Sequence, residues 1–274
     1  MDAAQLRPLR VGEILDLAIK IYRARFSHMV KAVAAILLPV AVMTSLLQIS
    51  ANSTSFSTSG GSIDSPTTVD GGDLAAFAVA IGLTAILTFI GGQLAAAATF
   101  KLVSGEYLSE EPDWHASLEV ARQRLASLVW LAVLLGFFLI LAFVACVVPA
   151  IYFYGAWSVA VPVLILEDLR GRKALKRSRQ LVKGRWWPTM GVIVLSAILT
   201  GILQAIVSGV LVAVVAVAGN DVVDVITRGL AQATTSIFLG PFTATVLAVL
   251  YFDLRVRKEG FDLELLARRL GTEV

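Results

Sequence analysis

The residues of this chain best equipped to hold a ligand are basic and crowded into one strip. Between Glu167 and Trp187 stand Arg170, Arg172, Lys173, Lys176, Arg177, Arg179, Lys183 and Arg185, against only Glu167 and Asp168, a local net charge of +6 that ends on Trp186 and Trp187. Guanidinium and ammonium groups so placed bind phosphate by charge, each adding on the order of 1 kcal/mol near an anionic leaflet. Paired indoles settle at the boundary between headgroups and hydrocarbon. Arg172, Lys173, Lys176, Arg177, Lys183, Arg185, Trp186 and Trp187 are therefore the candidate lipid-headgroup or interface residues. The plainer reading of the same strip is topogenic, an anchor that fixes orientation without a specific ligand.

Covalent chemistry has far less to work with. His28 and His115 lie in polar strips with no nucleophile or metal-ligand spacing around them, and the serines near Ser59 lack a partner base. The single Cys146 cannot form an internal disulfide or a multi-thiolate metal site. No catalytic residue, metal or cofactor is expected, and an intramembrane enzyme ranks last among the functional classes.

The elements that must carry the basic strip are apolar. Hydrophobic residues make up 57% of the chain and charged ones 16%, at a mean hydropathy of +0.81, outside the range of ordinary water-soluble domains. Runs at 29–48, 74–102, 125–148, 150–166, 190–218 and 229–252 are each long enough to span a bilayer. They predict an all-α, polytopic membrane bundle of about six transmembrane helices with amphipathic surface helices, forming one integral membrane domain over 1–274. The run from 125 to 166 reads as two spans joined near Pro149 or as one span plus a re-entrant segment, and its length favours the hairpin. Pro39, Pro162 and Pro241 fall within spans and predict kinks.

Six crossings put residues 1–31, 101–124, 167–187 and 253–274 on one face. Those strips hold 22 of the 23 Lys and Arg residues, leaving Arg228 opposite. The positive-inside rule makes that face, and both termini, cytoplasmic. Residues 50–73 contain no Lys or Arg and read as a flexible external loop. In 1–28, Val11, Ile14, Leu15, Ala18, Ile21 and Tyr22 form an apolar stripe, which predicts a helix lying on the membrane surface. The tail, 253–274, carries a further stripe in Leu263, Leu266 and Leu270. Anionic lipid headgroups, or a membrane protein partner, suit the basic flanks better than nucleic acid, because base-stacking aromatics are not interleaved with them.

Membrane helices associate through close contacts of small residues. Gly92 with Ala96, and Gly201, Ala205 and Gly209, recur every four residues and mark candidate packing faces. Gln93, Gln204 and Thr200 serve either as polar glue between helices or as the lining of a route. Residues 74–100, 125–166, 188–220 and 229–252 contain no ionisable Asp, Glu, Lys, Arg or His. That pattern argues against a proton-coupled pump or a voltage sensor. A shift of 160 residues lays Leu15, Ala18 and Ile21 on Leu175, Ser178 and Leu181, each set just ahead of a span, and Leu118, Ala121 and Arg124 form a looser third set. The chain reads either as three units of short helix plus hairpin with pseudo-threefold symmetry or as unrelated helices sharing an amphipathic pattern.

Three stretches carry a resemblance: Arg7-Pro8-Leu9-x-Val11-Gly12-Glu13-Ile14-Leu15-Asp16; Trp157-x-x-Ala160-x-Pro162 with Ala174-Leu175-x-Arg177-Ser178-x-x-Leu181-Val182-x-Gly184-x-Trp186-Trp187; and Tyr251-Phe252-Asp253-Leu254-Arg255-Val256-Arg257-x-Glu259-Gly260. Together the chain resembles the membrane domain that precedes a glycerophosphoryl diester phosphodiesterase in some bacteria. The resemblance implies a polytopic helical protein of the bacterial inner membrane. It does not extend to esterase activity, since the hydrolase barrel and its metal-binding acids have no counterpart here. The function expected is a non-enzymatic membrane protein that organises anionic headgroups or a partner at the cytoplasmic leaflet, with a transporter or lipid translocator as the alternative.

Overall fold

The computed structural model describes residues 9–53, 71–108, 114–218 and 221–259, and among them every regular element is a helix. In chain order these are α1 (Val11–Ala24), α2 (Phe26–Ser53), α3 (Gly71–Leu108), α4 (Trp114–Gln123), α5 (Leu125–Ala145), α6 (Val147–Ala156), α7 (Ala160–Glu167), α8 (Arg172–Val182), α9 (Trp186–Ala218) and α10 (Asp221–Glu259). Six stretches are long and apolar enough to cross a bilayer: Phe26–Leu47, Ala78–Gly105, Leu125–Val144, Val147–Glu167, Trp186–Val210 and Gln232–Glu259. They coincide with the six apolar runs, and the chain is a multi-pass membrane protein. Backbone polar groups find no water in hydrocarbon, so a chain this apolar satisfies them within helices.

The order of elements repeats three times: a short amphipathic helix, a long apolar one and a second crossing. The units are α1 with α2 and α3, α4 with α5 and α6–α7, and α8 with α9 and α10. Their burial is not equivalent. The α10 crossing has 72% of its most apolar window buried, whereas the α2, α3, α5 and α9 crossings have 11–17%. A threefold arrangement would treat α3, α7 and α10 alike, yet α10 is the central post, packed against α1, α2, α3, α7, α8 and α9.

The run from 125 to 166 is a hairpin, and its reversal falls at Cys146, which is extended (φ −177°, ψ 149°). Pro149 sits three residues later, in the first turn of α6, where an intrahelical donor is not required. The returning crossing breaks at Trp157–Val159 and restarts as α7, so Pro162 also lies in a first turn and does not bend a continuous helix. Pro39 and Pro241 do lie inside helices.

The stripe in 11–22 forms α1 as its periodicity predicts, but protein covers it, not lipid. Ile14, Leu15, Leu17, Ala18 and Ile21 are buried. At the start of α1 the Leu9 N–H donates to Asp253 Oδ1 (2.7 Å), and near its end the Tyr22 hydroxyl donates to Phe238 O (2.7 Å). Leu9 to Tyr22 is 13 residues and Phe238 to Asp253 is 15, about 20 and 22 Å of helix. α1 therefore runs antiparallel along α10 instead of lying on the membrane surface. At the edges of 50–73, residues 50–53 continue α2 and 71–73 begin α3. Residues 54–70, and the tail leucines 263, 266 and 270, lie outside the described residues.

Candidate functional site

Each of the four polar strips contributes described residues to one end of the bundle: Leu9, Arg124, the α7–α8 turn and the last turns of α10. Glu167, the last residue of α7, takes Arg177 Nε at 2.7 Å on one oxygen, and Arg177 Nη2 at 3.2 Å and the Tyr251 hydroxyl at 2.8 Å on the other. Arg177 also reaches Glu259 Oε1 at 2.5 Å, and Arg255 Nε holds Glu259 Oε2 at 3.1 Å. The α7–α8 turn is thereby tied to the last two turns of α10. A second clamp lies beside it: Arg257 Nε bonds both Asp253 oxygens (2.9 and 3.1 Å) and its Nη2 donates to Leu9 O (2.5 Å), fixing the segment before α1. In a third contact Arg124, between α4 and α5, pairs with Asp168, which Arg170 also approaches at 3.6 Å.

The turn at Asp168 has local causes. Asp168 takes left-handed backbone (φ 54°) at the end of α7, and Gly171 follows at φ 55°. Gly171 also lies against Trp130, whose Nε1 would be 3.2 Å from an added Cβ. A side chain there would meet both backbone strain and the indole.

The structure divides the candidate interface residues. On α8, Ala174, Leu175, Ser178, Leu181 and Val182 are buried, with the Ser178 hydroxyl donating to Ala156 O at 2.9 Å. Protein thus occupies the apolar face of α8. Arg172, Lys173, Lys176, Arg179 and Lys183 are exposed on the other face. Arg172 sits 6.0 Å from the Phe138 ring, and none of the five forms an ion pair among the described residues. Arg177 belongs to the hub; its bond to Glu167 holds the guanidinium pKa above its ordinary value, so the charge is permanent. Arg185 is half-buried beside Thr189 and Asp253. Trp186 is a packing residue, its indole N–H donating to Tyr152 O (3.0 Å) while its ring stacks on Tyr152. Trp187 is 79% exposed and is the indole free to meet an interface.

Of the small-residue stripes, Ala96 packs against the core, while the other members stand clear of helix contacts within the chain. Gly92, Gly201 and Gly209 have no neighbour within 4 Å of an added Cβ, and Ala205 is exposed. The close approaches are at Gly91, 3.1 Å from Val40 Cγ2, and at Gly155, 2.7 Å from both Met190 Cε and Trp186 Nε1. Gly155 stands in a run of aromatics, Tyr152-Phe153-Tyr154-Gly155-Ala156-Trp157, where a small residue is the signal for a slot. Gly92 and Ala96 instead join Thr200 and Gln204 around a crevice of about 340 Å³, completed by Gln232, Thr235, Ser236 and Thr243 of α10. Gln93 is not among its lining residues.

Residues 120–272 match the model of a family described as a domain of unknown function, DUF8558. The match covers more than half of the chain, so the chain belongs to that family. No curated protein and no solved structure matches it.

Proposed function

We propose that this DUF8558 member is a non-enzymatic integral membrane protein whose α8 face gathers anionic lipid headgroups, and that the face in question is the cytoplasmic one of a bacterial inner membrane. The observation that carries the reading is the division of labour on α8. Arg177 is committed to Glu167 and Glu259, while five neighbouring cations stand exposed, as does Trp187 at the start of α9. Arg172, Lys176, Arg179 and Lys183 follow one another at i, i+4, i+7 and i+11, which aligns them along one side of a helix and its cap. The resemblance to membrane domains fused to a phosphodiesterase supports a lipid-facing role, and the concentration of Lys and Arg in the strips supports the orientation.

The test is flotation of the purified full chain with phosphatidylglycerol-containing and pure phosphatidylcholine vesicles. Reversing Arg172, Lys173, Lys176 and Arg179 to Glu, with Arg177 left intact, should lower binding to the anionic vesicles by about tenfold or more. Equal binding by the variant discards the headgroup reading. A second reading, passage of a lipid or solute, is favoured by the crevice that unites Thr200 and Gln204. Reconstituted vesicles showing no flux exclude it.

A further inference from the structure

The crevice lies in the half of the bundle remote from α8. Gln204 is 18 residues beyond Trp186 (204 − 186), about 27 Å along α9. Gln232 and Thr243 lie 11 residues apart on α10 (243 − 232), so the lining runs about 16 Å along that helix. Its polar lining consists of two primary amides, Gln204 and Gln232, and the hydroxyls of Thr200, Thr235, Ser236 and Thr243; its apolar walls include Leu37, Ala95 and Leu239. None of the described lining residues is ionisable. Gln204, Gln232 and Thr243 are exposed, so the crevice is open at the side where acyl chains lie.

The hydrogen-bonding capacity left over is specific. The Thr200 hydroxyl donates to Ser196 O (2.9 Å) and the Thr243 hydroxyl to Leu239 O (3.3 Å), so each keeps its lone pairs for an incoming donor. The Gln204 and Gln232 amides make no hydrogen bond among the described residues, so each retains two donors and an acceptor. In hydrocarbon such groups are costly until paired. A phosphate here would lose hydration with no cation in the described lining to replace it. A neutral head offering one hydroxyl donor and two ester carbonyls matches what is left, and its acyl chains remain in the bilayer. Volumes of about 300 Å³ and above are typical of ligand sites, enough for the head alone.

We propose that this crevice binds the uncharged glycerol-ester head of a diacylglycerol-type lipid, with the Gln204 and Gln232 amides donating to its ester carbonyls and the threonine hydroxyls accepting from its free hydroxyl. The site is separate from the α8 face and does not require passage of anything across the membrane.

The experiment uses the full chain reconstituted in phosphatidylcholine nanodiscs containing a diacylglycerol with a diazirine in one acyl chain, followed by irradiation, proteolysis and mass spectrometry. Adducts should concentrate on peptides covering 196–210 and 232–243 and disappear on adding unlabelled dioleoylglycerol. The double variant Gln204→Leu/Gln232→Leu should lose about thirtyfold in yield at those peptides, as two hydrogen bonds of about 1 kcal/mol each imply. Adducts spread evenly over the lipid-exposed helices, or a yield that the competitor leaves unchanged on the native chain, would overturn the proposal whatever the fate of the variant. Equal labelling of the same peptides by a diazirine phosphatidylglycerol would overturn the uncharged head. The α8 charge reversals should leave the adducts unchanged, so failure of the headgroup reading and failure of this one are told apart.

Discussion

At one end of the bundle, Glu167, Arg177, Tyr251, Arg255 and Glu259 join α7, α8 and α10 through a chain of bonds, and Arg257 ties the segment before α1 to Asp253. Toward the other end, residues 201–206 of α9 are all exposed, and a crevice lies beside Thr200 and Gln204 where α3 and α10 face them. α10 belongs to both ends. The difference shows where specificity of assembly resides, because apolar surface alone gives helices in lipid no reason to choose one partner over another. Directional polar contacts fix α7, α8 and α10 at one end, and the crevice lies beyond the reach of those contacts.

That contrast can be broken most sharply at Glu167. Its replacement by Ala leaves Arg177 and the Tyr251 hydroxyl short of an acceptor in a site where the two charged side chains are 15% and 23% exposed. Unfolding in detergent, followed by circular dichroism against denaturant, should show a loss of about 2–3 kcal/mol, below the roughly 3–5 kcal/mol of a fully buried pair because this one is partly solvated. An unchanged midpoint would mean the hub does not hold that end together. Glycines give a paired comparison. Gly155→Ala forces a Cβ against the Trp186 ring and should cost about 1–2 kcal/mol, whereas Gly201→Ala, which meets nothing, should stay within about 0.5 kcal/mol. Equal effects at the two positions would erase the distinction between packed and open regions.

A smaller effect is expected at Tyr22, where α1 joins α10. Burial pushes its phenol up to about 12, so the fold favours the neutral form. A group whose pKa is raised on folding contributes stability that is complete below its unfolded value near 10 and is lost as pH climbs toward 12. Denaturation midpoints should therefore fall across that window, and Tyr22→Phe should flatten the fall; an unaltered slope would place the titration elsewhere. The smallest effect belongs to the exposed cations. Lys173→Glu with Lys176→Glu should move stability by less than about 0.5 kcal/mol while weakening vesicle binding, separating the α8 surface from the hub only one residue away.

The crossings were legible because each is a long apolar run, free of ionisable residues apart from Lys31 and Lys101 near run ends, and counting Lys and Arg singled out the strips that contribute to the charged end. What lay beyond the pattern was the identity of the neighbour. An apolar stripe such as Ile14, Leu15, Ala18 and Ile21 is equally served by lipid and by protein, and the bonds from the Leu9 N–H to Asp253 and from the Tyr22 hydroxyl to Phe238 O decide for α10. Gly91 and Gly92 are adjacent, yet a helix turns about 100° between them, enough to carry one into α2 and the other to the crevice. Arg177 was grouped with its basic neighbours although it stands three residues after Ala174 and four before Leu181, on the shoulder of the buried stripe; that spacing was the available sign of its different task. Tyr251 carried no comparable sign, since a hydroxyl at the end of an apolar run looks like any other interface tyrosine.

The hairpin between α5 and α6 turns on a single extended residue that is also the chain's sole thiol. Cys146 is exposed, and α5 carries it 21 residues, about 31 Å, from the Arg124–Asp168 contact. The native protein therefore already possesses a chemical handle at the tip remote from its charged end. A membrane-impermeant maleimide applied to intact cells can interrogate sidedness there with no engineered residue, and a spin or fluorescent label at the same sulfur can report the spacing between copies in a bilayer.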